Sequence, residues 1–153
     1  ALKGDGVVFE TTPVTKATDF AGRPRLDLYA AIDTPDTDFR ARLFEVRSDG
    51  SSVFLSEDRL RARYRNSLRK ADFVTPGKIE HYVFDNFLVM GRRLAAGSRI
   101  RLVVEGLNTI QAERNFNTNG VIADETIKDA RKATVTVYQG GAHPSALRMP
   151  LAR

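Results

Sequence analysis

Apolar and polar residues alternate along much of this chain with a period of two. Leu26, Leu28, Ala30 and Ile32 fall on one side, and Arg25, Asp27 and Tyr29 on the other. A few residues later Phe39, Ala41 and Leu43 oppose Arg40 and Arg42. That alternation predicts two strands, each with one buried face. Asp33-Thr-Pro-Asp-Thr-Asp38 between them is turn chemistry, because proline pre-sets its own φ and Asp and Thr side chains bond nearby backbone N–H groups. The pair is expected at the middle of a β-sandwich.

Further strands follow from the same pattern. Val7–Glu10 is a short apolar run, and Pro13 marks an edge or a strand end. Gly22-Arg23-Pro24 is a turn, and Asp49-Gly50 predicts a hairpin loop leading into Val53–Leu55. Leu60, Ala62 and Tyr64 alternate with Arg59, Arg61, Arg63 and Arg65, which predicts a strand with a basic outer face. Asn66–Pro76 reads as a loop closed by Thr75-Pro76-Gly77. Ile79–Asp85 returns to alternation. Residues 86–97 allow a strand at Phe87–Met90 or a helical turn ending at Gly97. Ile100, Leu102 and Val104 predict another strand, and Lys132–Tyr138 the last strong one, with a short closing strand over 146–151. Asn108–Asp129 between them is a long irregular segment of the kind that is functional or packed on something. Eight or nine short strands without a long helix make an all-β fold, a β-sandwich or jelly roll.

Composition narrows the function. A chain of 153 residues fits one domain, 1–153, with a real core. It has no cysteine, hence no disulfide, thiolate metal site or cysteine nucleophile. The net charge of +5 suits an acidic partner, but no base-stacking motif accompanies it, so no nucleic-acid partner is expected. No apolar run approaches the roughly 18 residues of a membrane span, and no membrane partner is expected. The start lacks an apolar leader and an initiating Met, which predicts a piece of a longer chain and favours the cytoplasm.

The residues of catalysis do not assemble in the sequence. His81 sits in a predicted strand, and His143 stands two residues from Ser145. Nucleophile–base pairs are made by fold geometry and a third orienting group, not by such adjacency. The sequence holds no Gly-x-Ser-x-Gly elbow, P-loop, dinucleotide fingerprint or His-Glu-x-x-His. No catalytic residue, cofactor or metal site is therefore expected. Asp33, Asp36 and Asp38 offer oxygen ligands of the kind calcium takes, but capping of the turn and pairing of Asp38 with arginines is the preferred reading. The Arg59–Arg65 row reads as a solvated strand face, or as a seam meeting acids of another domain. Asn115, Asn117, Thr118 and Asn119 either bond a sugar or partner, or hold their own loop.

Several weak motifs become specific in their order. Asp33-Thr-Pro-Asp-Thr-Asp-Phe-Arg-Ala-Arg-Leu43, Asp49-Gly50, Leu60-Arg-Ala-Arg-Tyr-Arg65, Thr75-Pro-Gly77, Ala96-Gly-Ser-Arg-Ile-Arg-Leu102, Arg114-Asn115 with Asn117-Thr118, and His143-Pro144-Ser145 follow one another. From about Gly6 to Pro150 the chain resembles the C-terminal domain, of X-Pro dipeptidyl-peptidase type, of the CocE/NonD serine hydrolases. Gly106–Glu113 departs from that pattern, lacking a Phe-Pro pair before Arg114. The resemblance implies a galactose-binding-domain-like jelly roll beside an α/β-hydrolase domain of the same parent chain. The Ser-Asp-His triad lies on that domain, and none of it maps onto this sequence. The expected role is to support the catalytic domain and to wall its substrate cleft or a subunit interface, including that of a homo-oligomer. Asp33, Asp36, Asp38, Arg40, Arg42, Arg114, Asn115 and Asn117 are the expected contact residues. The alternative is a free-standing carbohydrate- or ligand-binding module, for which Tyr29, Tyr64, Tyr82 and Tyr138 are the candidate aromatics.

Overall fold

A computed structural model describes residues 6–107, 109 and 112–152. Its strands are β1 (Val7–Glu10), β2 (Thr18–Gly22), β3 (Arg25–Ile32), β4 (Asp38–Val46), β5 (Ser52–Arg61), β6 (Ile79–Phe84), β7 (Met90–Leu94), β8 (Arg99–Gly106), β9 (Val135–Gly140), β10 (His143–Pro144) and β11 (Ala146–Arg148). One antiparallel sheet runs β1-β8-β4-β5. The other is centred on β3, which pairs with β6 along Leu26–Ala31, with β9 along Tyr29–Ile32 and with β11 along Arg25–Asp27. β2 and β7 form a separate two-stranded ribbon.

The two strands with the clearest alternation, β3 and β4, are the central strands of opposite sheets. The acidic turn between them is thus a crossover from layer to layer. Inward residues of both strands, Leu26, Leu28, Ala30 and Ile32 against Phe39, Ala41 and Leu43, meet in the core with Tyr82, Phe84, Phe87, Leu94 and Ile100. Phe39 and Tyr82 touch between the layers, ring centroids 5.0 Å apart. Each such large side chain stabilises the fold by about 1.5–3 kcal/mol through burial.

The turns follow their sequence signals. Lys78 N–H donates to Thr75 O at 3.0 Å, with Pro76 second and Gly77 third at φ +81°. That is a type II turn, whose third position strongly prefers glycine. Ala95–Ser98 repeats it, with Gly97 at φ +85° and Ser98 N–H donating to Ala95 O at 3.1 Å. Gly97 therefore closes a turn after β7, and neither reading of 86–97 holds as made: the strand begins at Met90 instead of ending there, and 92–97 is no helical turn. Gly50 N–H donates to Arg47 O at 2.9 Å, closing the predicted hairpin.

Other expectations need correction. β5 is one unbroken strand that ends at Arg61, and Ala62–Tyr64 is a 3-10 turn. Ala62 N–H is drawn to Thr37 O at 2.9 Å, which bends the chain inward and ends the alternation. β2 has no counterpart among the predicted strands: only Phe20 in it is buried, so it shows no period. β9 begins three residues later than predicted, because Thr134 is held by Asp33 through Asp33 N–H to Thr134 O (3.3 Å) and Thr134 N–H to Asp33 Oδ1 (2.7 Å). Asn108, Ile110 and Gln111, in the irregular segment that departs from the family pattern, lie outside the described residues.

Candidate functional site

The acidic turn, the 3-10 turn after β5 and the loop 112–120 meet at one end of the sandwich. Asp36 is fully buried there. Its Oδ1 accepts Arg63 N–H at 2.8 Å, and its Oδ2 accepts Arg63 Nε and Asn115 Nδ2, each at 2.7 Å. Asp38 Oδ1 accepts Arg61 Nε at 2.8 Å and Asn115 Nδ2 at 2.9 Å, and Oδ2 accepts Arg61 Nη2 at 3.1 Å. Asn115 thus bridges the two carboxylates. Burial works against the Arg61 charge, but the Asp38 carboxylate outweighs it and holds the guanidinium above its ordinary pKa.

Arg63 carries the network onward. Its guanidinium donates to Gly120 O at 2.9 Å and Thr118 O at 3.2 Å, and lies 4.5 Å from the centre of the Phe73 ring. A buried ion pair withstands its desolvation only when its polar atoms find partners, and here each guanidinium nitrogen of Arg63 and each carboxylate oxygen of Asp36 has one. The carboxylate oxygens of Asp36 and Asp38 face nitrogen donors, so the turn is built to hold arginines rather than a metal ion. The basic strand face expected over Arg59–Arg65 is corrected accordingly. Arg61, Arg63 and Arg65 turn to Asp38, Asp36 and Glu80 of this same domain, and only Arg59 stays on the strand face with Glu57.

Above this network opens a cavity of about 890 Å³. Its lining takes in Asp38, Arg40, Arg114, Asn115 and Asn117, all expected contact residues, together with Thr37, Glu105 and Lys132–Val135. Asp36 does not reach the lining; it lies in the network that fixes the floor. Arg42 points from the outer face of β4, where it shares Glu105 with Arg40 and approaches the Phe44 ring at 5.5 Å. Asp33 does not reach the lining either; it holds Thr134, which does, and the Thr134 amide and hydroxyl keep its carboxyl below the usual range. Asn117 adopts φ +64°, a conformation asparagine tolerates, with its N–H on Asn115 Oδ1 (2.8 Å) and its Nδ2 on Arg131 O (2.7 Å). Sequence reasoning missed Arg61, Arg63, Glu105 and Lys132 at this site. Glu105 and Lys132 stand at the ends of their alternating runs, the one signal that placed them near loops.

The histidines lie elsewhere, on the outer face of the second sheet. His81 stacks on Tyr29 with ring centroids 4.5 Å apart and 8° between planes, and its Nε2 is 3.0 Å from Asp27 Oδ1. His143 approaches Tyr29 and Tyr138 at 5.5 and 6.1 Å. Ser145 Oγ donates to Tyr138 O at 2.6 Å and accepts Tyr29 N–H at 2.9 Å. The His-Pro-Ser segment therefore pins β9 to β3, with the serine spent on backbone. Among the described residues no serine hydroxyl is hydrogen-bonded to a histidine ring; Ser145 meets His143 only through its backbone N–H, which donates to His143 O at 3.1 Å.

Comparison with known proteins agrees with this architecture. A family model described as the X-Pro dipeptidyl-peptidase C-terminal non-catalytic domain matches residues 1–148. The chain is 30% identical over 149 residues to a cocaine esterase of Rhodococcus sp. (strain MB1 Bresler), covering 97% of this chain and 26% of that protein. An aminopeptidase from a marine sediment archaeon, Thaumarchaeota archaeon, superposes with a TM-score of 0.92 at 25% identity, over 100% of this chain and 27% of its own. An α-amino acid ester hydrolase superposes with a TM-score of 0.90 at 25% identity, over 97% and 26%. The chain thus spans about a quarter of the relatives it matches.

Proposed function

The chain belongs to the family of X-Pro dipeptidyl-peptidase C-terminal non-catalytic domains, and from that premise we propose that it serves a serine hydrolase of the CocE/NonD type. It packs beside an α/β-hydrolase domain of the same protein, steadies it, and walls its substrate cleft or a subunit interface. The observation that carries this reading is the Asp36–Arg63–Asn115–Asp38–Arg61 network. It spends buried charge on fixing three loops around a cavity, as suits a surface that must keep its shape for a partner.

A free-standing sugar-binding module is the weaker reading. Sugar rings stack on open aromatic faces, whereas Tyr82 is buried and one face of Tyr29 is covered by His81. The test compares the full-length protein with a version lacking this domain, using an activated ester and an X-Pro anilide. Loss of this domain is expected to lower kcat/KM and thermal stability together. Unchanged kinetics and stability in the deleted protein would end the proposal.

A further inference from the structure

Most arginines around the cavity are committed to acids within the domain. Arg40 pairs with Glu105, Arg61 with Asp38 and Arg63 with Asp36. Two cations that line the cavity are not. Arg114 and Lys132 form no ion pair among the described residues, and Arg114 rests only against the Phe116 ring, 5.4 Å from its centre. Asp33 feels the charge of Lys132, but its Oδ1 is already taken by the Thr134 amide. Asp38 and Glu105, the carboxylates on the lining, each hold an arginine. The site therefore has donors and positive charge to offer, and no free acceptor among these carboxylates.

We propose that this cavity receives an acidic segment of the catalytic domain in the same protein, whose carboxylates pair with Arg114 and Lys132. The inference rests on the accessory-domain reading and deepens it by naming the chemistry of the partner surface. Three physical points support it. The volume is that of a pocket able to take several side chains, within the range of about 300–1,000 Å³ usual for ligand sites. The two cations come from different loops, 112–120 and the run into β9, so an insert bridging them fixes its own register. Arg114 is held by Phe116 and its neighbour Asn115 by both Asp36 and Asp38, so little ordering is left for the moment of contact. Arginine also forks onto a carboxylate with two parallel bonds, which gives direction as well as attraction. A domain of net charge +5 favours such a partner at longer range too.

The experiment uses the full-length protein and its R114E/K132E and R114Q/K132Q variants, with Lys70→Glu on the exposed 66–73 loop as the control. Calorimetry and limited proteolysis read the coupling between domains, at low and at high salt, and kcat/KM is measured on substrates with and without a free carboxylate. The wild type and K70E are expected to unfold in one coupled transition. R114E/K132E is expected to split it in two and to raise cleavage between the domains at least about tenfold, the equivalent of about 1.4 kcal/mol. R114Q/K132Q moves in the same direction by less, and high salt narrows the differences. The isolated R114Q/K132Q domain should melt close to the wild-type domain, since neither side chain forms an ion pair among the described residues and Lys132 acts on Asp33 only through its charge.

Unchanged coupling in both variants overturns the inference. So does a KM that rises only for carboxylate-bearing substrates while the domains stay coupled, which would make the cavity a substrate subsite. A wild type that unfolds as two independent domains would instead count against the accessory-domain reading itself.

Discussion

Asp36 shows how much rests on single residues here. Its carboxylate is fully buried, and three segments, the acidic turn, the 3-10 turn and the loop 112–120, depend on it or on its partner Arg63. Asp36→Ala leaves the Arg63 charge buried and unpaired, so the expected loss is about 3–5 kcal/mol, read from urea unfolding of the purified domain. A loss below about 1 kcal/mol would mean that Arg63 finds another partner. Asp27 gives a pH prediction. Burial works against its charge, but bonds from Arg25, His81 and Arg148 outweigh it and hold its carboxyl below the ordinary value of 3.8. A carboxyl lowered on folding adds stability above its unfolded pKa, and that stability is lost as pH falls through the folded one. Unfolding free energy is therefore expected to drop as pH falls below about 4, and Asp27→Asn should show a shallower drop in the same series. At this scale the sequence told which residues matter better than how they pair. Asp36, Asp38 and Asn115 stood out as turn and loop residues. Arg63 looked the same as Arg59, and only the Ala62–Thr37 bond, 25 residues apart in the chain, sends one inward and leaves the other outside.

At the scale of elements, legibility follows burial on one face. β3, β4, β6 and β8 alternate because one side of each faces the core, and each was readable. β2 pairs with β7 and buries little beyond Phe20, so its pattern carried no signal. The hairpin between β4 and β5 was readable from Asp-Gly, but the register shift between Leu43 and Phe44 was not. That shift places Phe44 opposite Phe54 on the outer face of the sheet, with rings 5.9 Å apart. The two faces predict different costs. Phe39→Ala removes a ring from between the layers and is expected to cost about 3–5 kcal/mol. Phe54→Ala, at a side chain 48% exposed, should cost under about 1 kcal/mol. Chemical denaturation of both variants checks the contrast, and equal losses would show that the layers are assigned wrongly.

At the scale of the molecule, the sandwich is a scaffold that delivers loops to one end. The crossover from β3 to β4 brings the acidic turn there, the 3-10 turn after β5 brings Arg63, and the loop after β8 brings Asn115. Asp38, Arg40, Arg114, Asn115 and Asn117, expected as contact residues, line one cavity, and their use as a contact surface is the proposal made above. Which face meets the partner was not legible, because a seam is defined by a surface outside this chain. Ser145 is bound to backbone of β3 and β9, and His81 to Asp27, so both are engaged in structure. The central claim is that this domain is a non-catalytic one. The most direct measurement is to treat the isolated 153-residue polypeptide with a serine-reactive phosphonate while assaying it on an activated ester and an X-Pro anilide. The account predicts no turnover and no labelling by mass spectrometry. Turnover accompanied by a phosphonylated serine would contradict it.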